Sequence, residues 1–348
     1  WCGLPLGLAQ KGVKVDVYMP AYRCIKRMRH GIKKFNKELS VKQISKHVNI
    51  YFVENSTYFA RKGLYGHKHG AYKDNLKRFT FFNKQVLNSI RLFDQPVDII
   101  HGHDWHTALL PVYLKEVFHQ DSFFDKTKTV LSIHNLAFQC VFPKAQFKTL
   151  GLRAQLFTPR VFEFYGQLNL LKAAIIYSDA LTTVSPCYAK EIQTAKFGCG
   201  LDKLLKRHAK KLTGILNGID YTLWNPAQDR LIKKRFTPQR LKQGKRANKL
   251  NLQKRLGLTI DARQVLYVFV GRLAHQKGVD LILESLPELM KLDCQLIIQG
   301  VGDVHYEQRL KQASKRYKGK FVSVIDFNEP LAHQIYASGD FFLMPSNF

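Results

Sequence analysis

Arg272 and Lys277 are the two side chains on which a reading of this sequence turns. They follow the apolar run Val265 to Val270, which has the length and β-branched content of a buried parallel strand. Gly271 closes that strand, and apolar spacing predicts a helix from Gly278 to Lys291. Both cations therefore fall in one strand-to-helix loop at the carboxyl end of a sheet, where open α/β folds bind ligands. A guanidinium and an ammonium beside a helix N-terminus make a seat for a diphosphate. Taken alone, such a pair is more often two solvated surface charges, and the rest of the chain has to decide.

A second set of polar residues also follows strands. His103, Asp104 and His106 come after the expected strand Val97 to His101. A His-x-x-His spacing can chelate a metal, but no further His or carboxylate stands at helical spacing, which favours a polar lining for sugar or acceptor hydroxyls. His134 and Asn135 follow the expected strand Thr129 to Ile133, and both side chains can exchange hydrogen bonds with hydroxyls. Asn217-Gly218-Ile219-Asp220 is a turn signal in which Gly218 could supply a positive φ. Gly300-Val301-Gly302-Asp303 is a G-x-G after a strand, compatible with close approach of a phosphate to backbone N–H groups. It lacks the third glycine and the downstream acid of a dinucleotide fingerprint, and no G-x-x-x-x-G-K-[ST] occurs, so nicotinamide and P-loop chemistry are disfavoured. A Gly-x-Ser-x-Gly elbow is absent too.

The elements that must position these groups alternate. Strands are expected at Val13 to Met19, Val48 to Val53, Val97 to His101, Thr129 to Ile133, Ala180 to Val184 and Leu212 to Leu216, with helices Phe79 to Leu92, Ala108 to Phe118, Leu168 to Ser178 and Cys187 to Gln193 between the later ones. This rhythm implies a doubly wound parallel sheet. It breaks at Tyr221 to Pro226 and restarts at Val265, with further strands at Gln295 to Gln299, Phe321 to Asp326 and Phe341 to Met344, the last expected to be buried. Two Rossmann-like α/β domains are thus expected, residues 1–222 and 223–348, with a cleft between facing sheets. Lys26 to Lys37 reads as a loop or exposed helix. Asn55 to Asn75, which contains Tyr65, reads as a long loop of the kind that usually serves function.

The 348 residues suffice for two domains and contain no apolar run of membrane-spanning length. A formal charge of +29 calls for a partner: nucleic acid is the default for such a balance, with anionic substrates or an acidic protein as competitors. The basic run Ile232 to Arg255 holds ten Lys and Arg and no acid, but only Phe236 interrupts it as an aromatic, which weakens a base-stacking platform. Six scattered cysteines give neither zinc spacing nor a disulfide framework and suit a reducing cytoplasm. Trp1 at the start and a strand close to the last residue suggest a fragment at both ends.

The motifs taken together resemble bacterial glycogen synthase and plant starch synthase. They are His101-Gly102-His103-Asp104-Trp105-His106, Ile133-His134-Asn135-Leu136-Ala137-Phe138-Gln139, Tyr165-Gly166-Gln167 with Leu171-Lys172-Ala173, and Thr183-Val184-Ser185-Pro186 through Glu191-Ile192. Then follow Leu216-Asn217-Gly218-Ile219-Asp220 through Trp224-Asn225-Pro226, Gly271-Arg272 with Gln276-Lys277-Gly278, Gly300-Val301-Gly302-Asp303, Leu331-Ala332-His333 and Leu343-Met344-Pro345-Ser346. The resemblance covers nearly the whole chain. It implies a GT-B glycosyltransferase whose second domain is incomplete here, retaining and independent of metal or other cofactors. Such an enzyme moves glucose from ADP-glucose or UDP-glucose to the non-reducing end of an α-1,4-glucan. It assigns Arg272, Lys277, Gly302 and Asn217 to the donor, and His134, Asn135, Asp104 and Tyr65 to the glucosyl unit and acceptor, with His134, Asp104, Arg272 and Lys277 as the catalytic set. It implies a cytoplasmic protein with no specific nucleic acid or membrane partner.

Departures from the family pattern are local. The family's Lys-x-Gly-Gly-Leu loop precedes Trp1, and its Ser-Arg-Phe-Glu-Pro-Cys-Gly-Leu reads here as Ser346-Asn347-Phe348, with Asn in place of Arg. Without those loops the fragment itself is expected to be inactive, and a catalytically inactive glucan-binding remnant stands as the alternative to an active synthase.

Overall fold

The computed structural model describes residues 3–25, 30–67 and 70–347. They form two units, Trp1–Gly218 and Ile219–Phe348, and the chain passes from one to the other within the Asn217 to Asp220 turn. Gly218 is not among the positive-φ glycines and has open space around it, so the turn does not use its glycine for the positive φ expected.

In the first unit β1 (Val15–Pro20), β2 (Leu39–Ser45) and β3 (Val48–Val53) make one sheet. β1 runs parallel to β3, while β2 returns antiparallel as a hairpin with β3. β2 is not among the strands expected from sequence, because its apolar residues are diluted by Lys42, Gln43 and two serines. This sheet is therefore mixed rather than parallel throughout. Lys33–Lys34 adds a two-residue strand at its edge. Residues 26–29 of the basic stretch, expected as loop or exposed helix, lie outside the described residues.

The second sheet of this unit carries the rhythm foreseen. β4 (Ile99–His103), β5 (Lys128–Ile133), β6 (Ala180–Thr183) and β7 (Leu212–Gly214) are all parallel, in the order β7-β6-β5-β4. Helix α1 (Asn75–Leu92) covers the core with Leu76, Phe79, Phe82, Val86, Leu87 and Ile90, the three-and-four spacing of one helical stripe.

The segment 55–75 is ordered rather than a bare loop. It holds the short helix Ser56–Phe59 and a hairpin pairing Gly66–His67 with Gly70–Ala71; residues 68–69 lie outside the described set. Arg78 of α1, fully buried, organises it by donating to the Tyr58 and Leu64 carbonyls and to Asn75 Oδ1. Arg61 and Asp74 close the segment with a bidentate ion pair at 2.6–2.8 Å.

In the second unit β8 (Val265–Val270), β9 (Cys294–Gln299), β10 (Phe321–Val324) and β11 (Phe341–Phe342) form a parallel sheet in the order β10-β9-β8-β11. Every residue of the inner strand β9 is buried, as a strand covered on both faces must be. One face packs on α3 (Val279–Leu289) and α4 (Val304–Arg316), the other on α2 (Leu241–Leu256) and α5 (Glu329–Ser338). β11, expected to be buried, is an edge strand two residues long with Phe341 and Phe342 exposed. The basic run proves partly structural: Lys249 of α2 is buried and donates to the Ala262 and Gln264 carbonyls while pairing with Asp340 at 2.5 Å.

Candidate active site

In the first unit the strand ends gather a ladder of polar side chains. His101 and His103, two residues apart on β4, share a face and stack at 4.4 Å. His101 Nε2 meets Ser132 Oγ on β5 at 2.8 Å, and Ser132 Oγ meets Thr182 Oγ1 on β6 at 2.6 Å. At the ends of these strands, His103 Nδ1 and His134 Nε2 share a hydrogen bond at 3.1 Å. Burial, followed by the neighbouring His101 and His134, lowers the His103 pKa to about 3, so its ring is neutral at ordinary pH.

Asp104 sits at φ 54°, ψ −167°, a conformation that costs a non-glycine residue on the order of 1–3 kcal/mol. Two bonds hold it there. Its N–H donates to the Ser132 carbonyl at 2.9 Å, and its Oδ1 accepts the His134 N–H at 2.8 Å. Burial raises its carboxyl pKa, and the His134 and Asn135 amides pull the other way. Asn135 Oδ1 accepts the Ala137 N–H.

His106 lies among aromatic rings. It stacks on Trp105 at 3.9 Å, and Tyr65 packs beside it at 4.6 Å. Tyr65 is 44% exposed, and its neighbourhood includes Asp104, whose charge adds to burial in raising the phenol pKa. The structure thus brings Asp104, His134, Asn135 and Tyr65 to one end of one sheet. Among the described residues, no group of three His, Cys, Asp or Glu is arranged to hold a metal.

Two supports went unnoticed in the sequence. Tyr188 Oη accepts the Leu136 N–H at 3.0 Å, and Gln139 bonds both Asn169 and the Cys199 carbonyl. These contacts join segments 30 to 60 residues apart and leave no local pattern.

In the second unit the loop after β8 makes a single turn at His275–Lys277, then Gly278 at φ 66° opens α3. Arg272 is exposed and Lys277 half-buried. Among the described residues neither side chain has a hydrogen-bond or ion-pair partner, while the Arg272 carbonyl accepts the Ala274 N–H and the Lys277 N–H donates to the Ala274 carbonyl. The loop's backbone, in contrast, is tied to the loop after β9. Leu273 N–H donates to the Val301 carbonyl and Asp303 N–H to the Leu273 carbonyl, at 3.0 and 2.8 Å. A Cβ on Gly300 would lie 1.8 Å from the Gly271 oxygen, and one on Gly302 would lie 2.1 Å from the Leu273 oxygen. Close approach of two backbones therefore suffices to demand both glycines. The Gly302 N–H donates to Glu307 Oε1 at 3.0 Å.

Asn347 braces the same turn, its N–H on the Gln276 carbonyl and its Nδ2 on the His275 carbonyl. Asn217, at the end of the first unit, is exposed and makes no side-chain hydrogen bond among the described residues.

Comparison with known proteins gives this arrangement relatives. Residues 2–207 match the family model for the starch synthase catalytic domain, and residues 264–348 match glycosyl transferases group 1. A glycogen synthase of Thermodesulfovibrio yellowstonii is 41% identical over 304 residues, 87% of this chain and 61% of that protein. Glycogen synthase 2 of Geobacter sulfurreducens is 42% identical over 357 residues, 99% of this chain and 74% of that one. Among solved structures, the catalytic domain of starch synthase IV from Arabidopsis thaliana bound to ADP and acarbose matches with a TM-score of 0.89 and 30% identity, covering 99% of this chain and 74% of that one. The chain thus spans 61% to 74% of the length of these relatives, less than two thirds of the first.

Proposed function

The chain belongs to the glycogen and starch synthase family of glycosyltransferases, with the GT-B fold, and from that premise we propose that it transfers glucose from ADP-glucose to the non-reducing end of an α-1,4-glucan. One observation carries the proposal: Arg272 and Lys277 stand beside a helix start at the carboxyl end of β8, and among the described residues no carboxylate pairs with either, Asp280 being engaged by His275. Two preorganised cations suit the diphosphate of a nucleotide-sugar. As the bond from the anomeric carbon to the diphosphate breaks, negative charge grows on the leaving oxygen, and fixed cations lower the barrier. The anomeric carbon then bonds to the acceptor's hydroxyl oxygen, whose proton departs, with the α configuration retained.

In this reading Lys277 and Arg272 hold the diphosphate, and Gly302 and Asn217 line the donor side. His134, Asn135, Asp104 and Tyr65 meet the glucosyl unit and acceptor, with Asp104 fixed in place by the His134 amide. No metal ion or other cofactor is part of this proposal. ADP-glucose is preferred over UDP-glucose because the matched starch synthase IV structure is bound to ADP. We place the protein in the cytoplasm, with neither membrane nor specific nucleic acid as partner; no helix among the described residues is long and apolar enough to cross a bilayer.

The test is release of nucleoside diphosphate on incubation with glycogen and each donor in turn. Release from ADP-glucose is expected, and Arg272→Ala or Lys277→Ala should lower kcat/KM by about a hundredfold each. Glucan binding without release from either donor would instead establish the inactive remnant.

A further inference from the structure

We propose that Tyr165 is a stacking platform for an α-1,4-glucan chain bound to the first unit. The site described above makes no use of the Tyr165-Gly166-Gln167 motif. The motif is the tip of a hairpin in which Phe164 pairs with Gln167 and the two residues between them form the loop. Both have positive φ, 50° at Tyr165 and 79° at Gly166. That turn type favours Asn, Asp or Gly at its first position, and a tyrosine there is held in a conformation its side chain disfavours. The ring recovers little by packing, because Tyr165 is 80% exposed and its phenol has no hydrogen-bond partner among the described residues.

The hairpin beneath it is firmly built. Lys172 donates to the Pro159 and Glu163 carbonyls, and Glu163 Oε1 accepts the Gly166 N–H. Phe164 meets Tyr165 edge-on at 4.7 Å. A Cβ on Gly200 would lie 2.9 Å from Phe164 and 3.5 Å from Tyr165, so only a bare backbone lets the two rings stand beside that turn.

The same small sheet continues into the loop that carries His134 and Asn135. Gln167 to Asn169 pair with Val141 to Pro143, and Gln139 bonds Asn169 across the junction. Phe138 in that loop is a second exposed aromatic. A solvent-facing ring on a braced hairpin is what the apolar face of a pyranose packs against. Isolated rings of this size are too small to seat a protein, whose interfaces need far more buried area. A neutral glucan is the occupant that fits, and the inference rests on the glucan reading above.

Electrophoresis in native gels with and without glycogen tests this, because it reads glucan affinity without catalysis. Tyr165→Asn supplies the residue the turn prefers, so its melting temperature should not fall. Its apparent Kd for glycogen should rise about fivefold, while Tyr165→Phe, which keeps the ring, should bind as the parent does. Unchanged retardation of Tyr165→Asn would overturn the platform, as would a parent chain that glycogen does not retard. A parent that is retarded yet releases no nucleoside diphosphate would sink the transferase reading and leave the platform standing.

Discussion

Imidazoles that burial keeps neutral make the first unit sensitive to acid. His103 and His106 both have pKa values lowered to about 3, chiefly by burial, with Arg78 a second cause at His106. Unfolding returns each ring to its ordinary value of 6.5. Between those values the unfolded chain binds a proton that the folded chain refuses. The stability from each neutral ring is present in full above pH 6.5 and is lost progressively as pH falls toward about 3, at about 1.4 kcal/mol per pH unit. His106→Phe removes one of the two titrations and keeps a flat ring against Trp105. Urea unfolding at pH 7 and pH 5 should therefore show the variant losing about 2 kcal/mol less than the parent over that interval. Equal losses would mean that His106 is already charged in the fold. How far such residues are legible depends on range. Arg272 and Lys277 were placed on a strand-to-helix loop by local punctuation, Gly271 before them and Gly278 after, and that loop is where they stand. The bond from His103 to His134 spans 31 residues and depends on the β4 to β5 register, to which spacing along the chain is blind.

Among the elements, the seam between the loops after β8 and β9 has the tightest tolerance. Gly300→Ala forces a methyl against the Gly271 carbonyl, which Gly271 N–H bonding to Gln299 and Gly300 N–H bonding to Val324 prevent from yielding. The expected cost is about 2 kcal/mol, visible as a lower melting temperature, whereas Val301→Ala, at an exposed position, should leave it nearly unchanged. A Gly300→Ala chain as stable as its parent would show that the loops can part at no cost. Parallel strands were legible because each is a short apolar run bounded by turn residues. β2 was not, because only Leu39 and Ser40 of its seven residues are fully buried and its pairing with β3 supplies what its own pattern lacks. The buried end of the basic run was hidden for a related reason. Nothing near Lys249 in sequence announces Asp340, its partner from a distant part of the chain.

For the molecule as a whole, the two units have separate cores. Leu131, Ile133, Leu168 and Leu181 belong to the first, and Phe269, Ile282, Leu296 and Leu310 to the second, with no core cluster of the described residues shared between them. Calorimetry should accordingly resolve two unfolding transitions, of which Gly300→Ala moves only one. One transition shifted as a block would mean that the units melt together. The charge of +29 spreads over both and, apart from buried Lys249 and Arg78, is largely solvated surface; it predicts salt-sensitive association with polyanions in general. The single passage of the backbone from one unit to the other has a temporal meaning as well. A ribosome delivering this polypeptide exposes every residue of the first core before it has translated Leu266, so the amino-terminal half can mature while its successor is still being made, and a fault in the later half need not trap the earlier one.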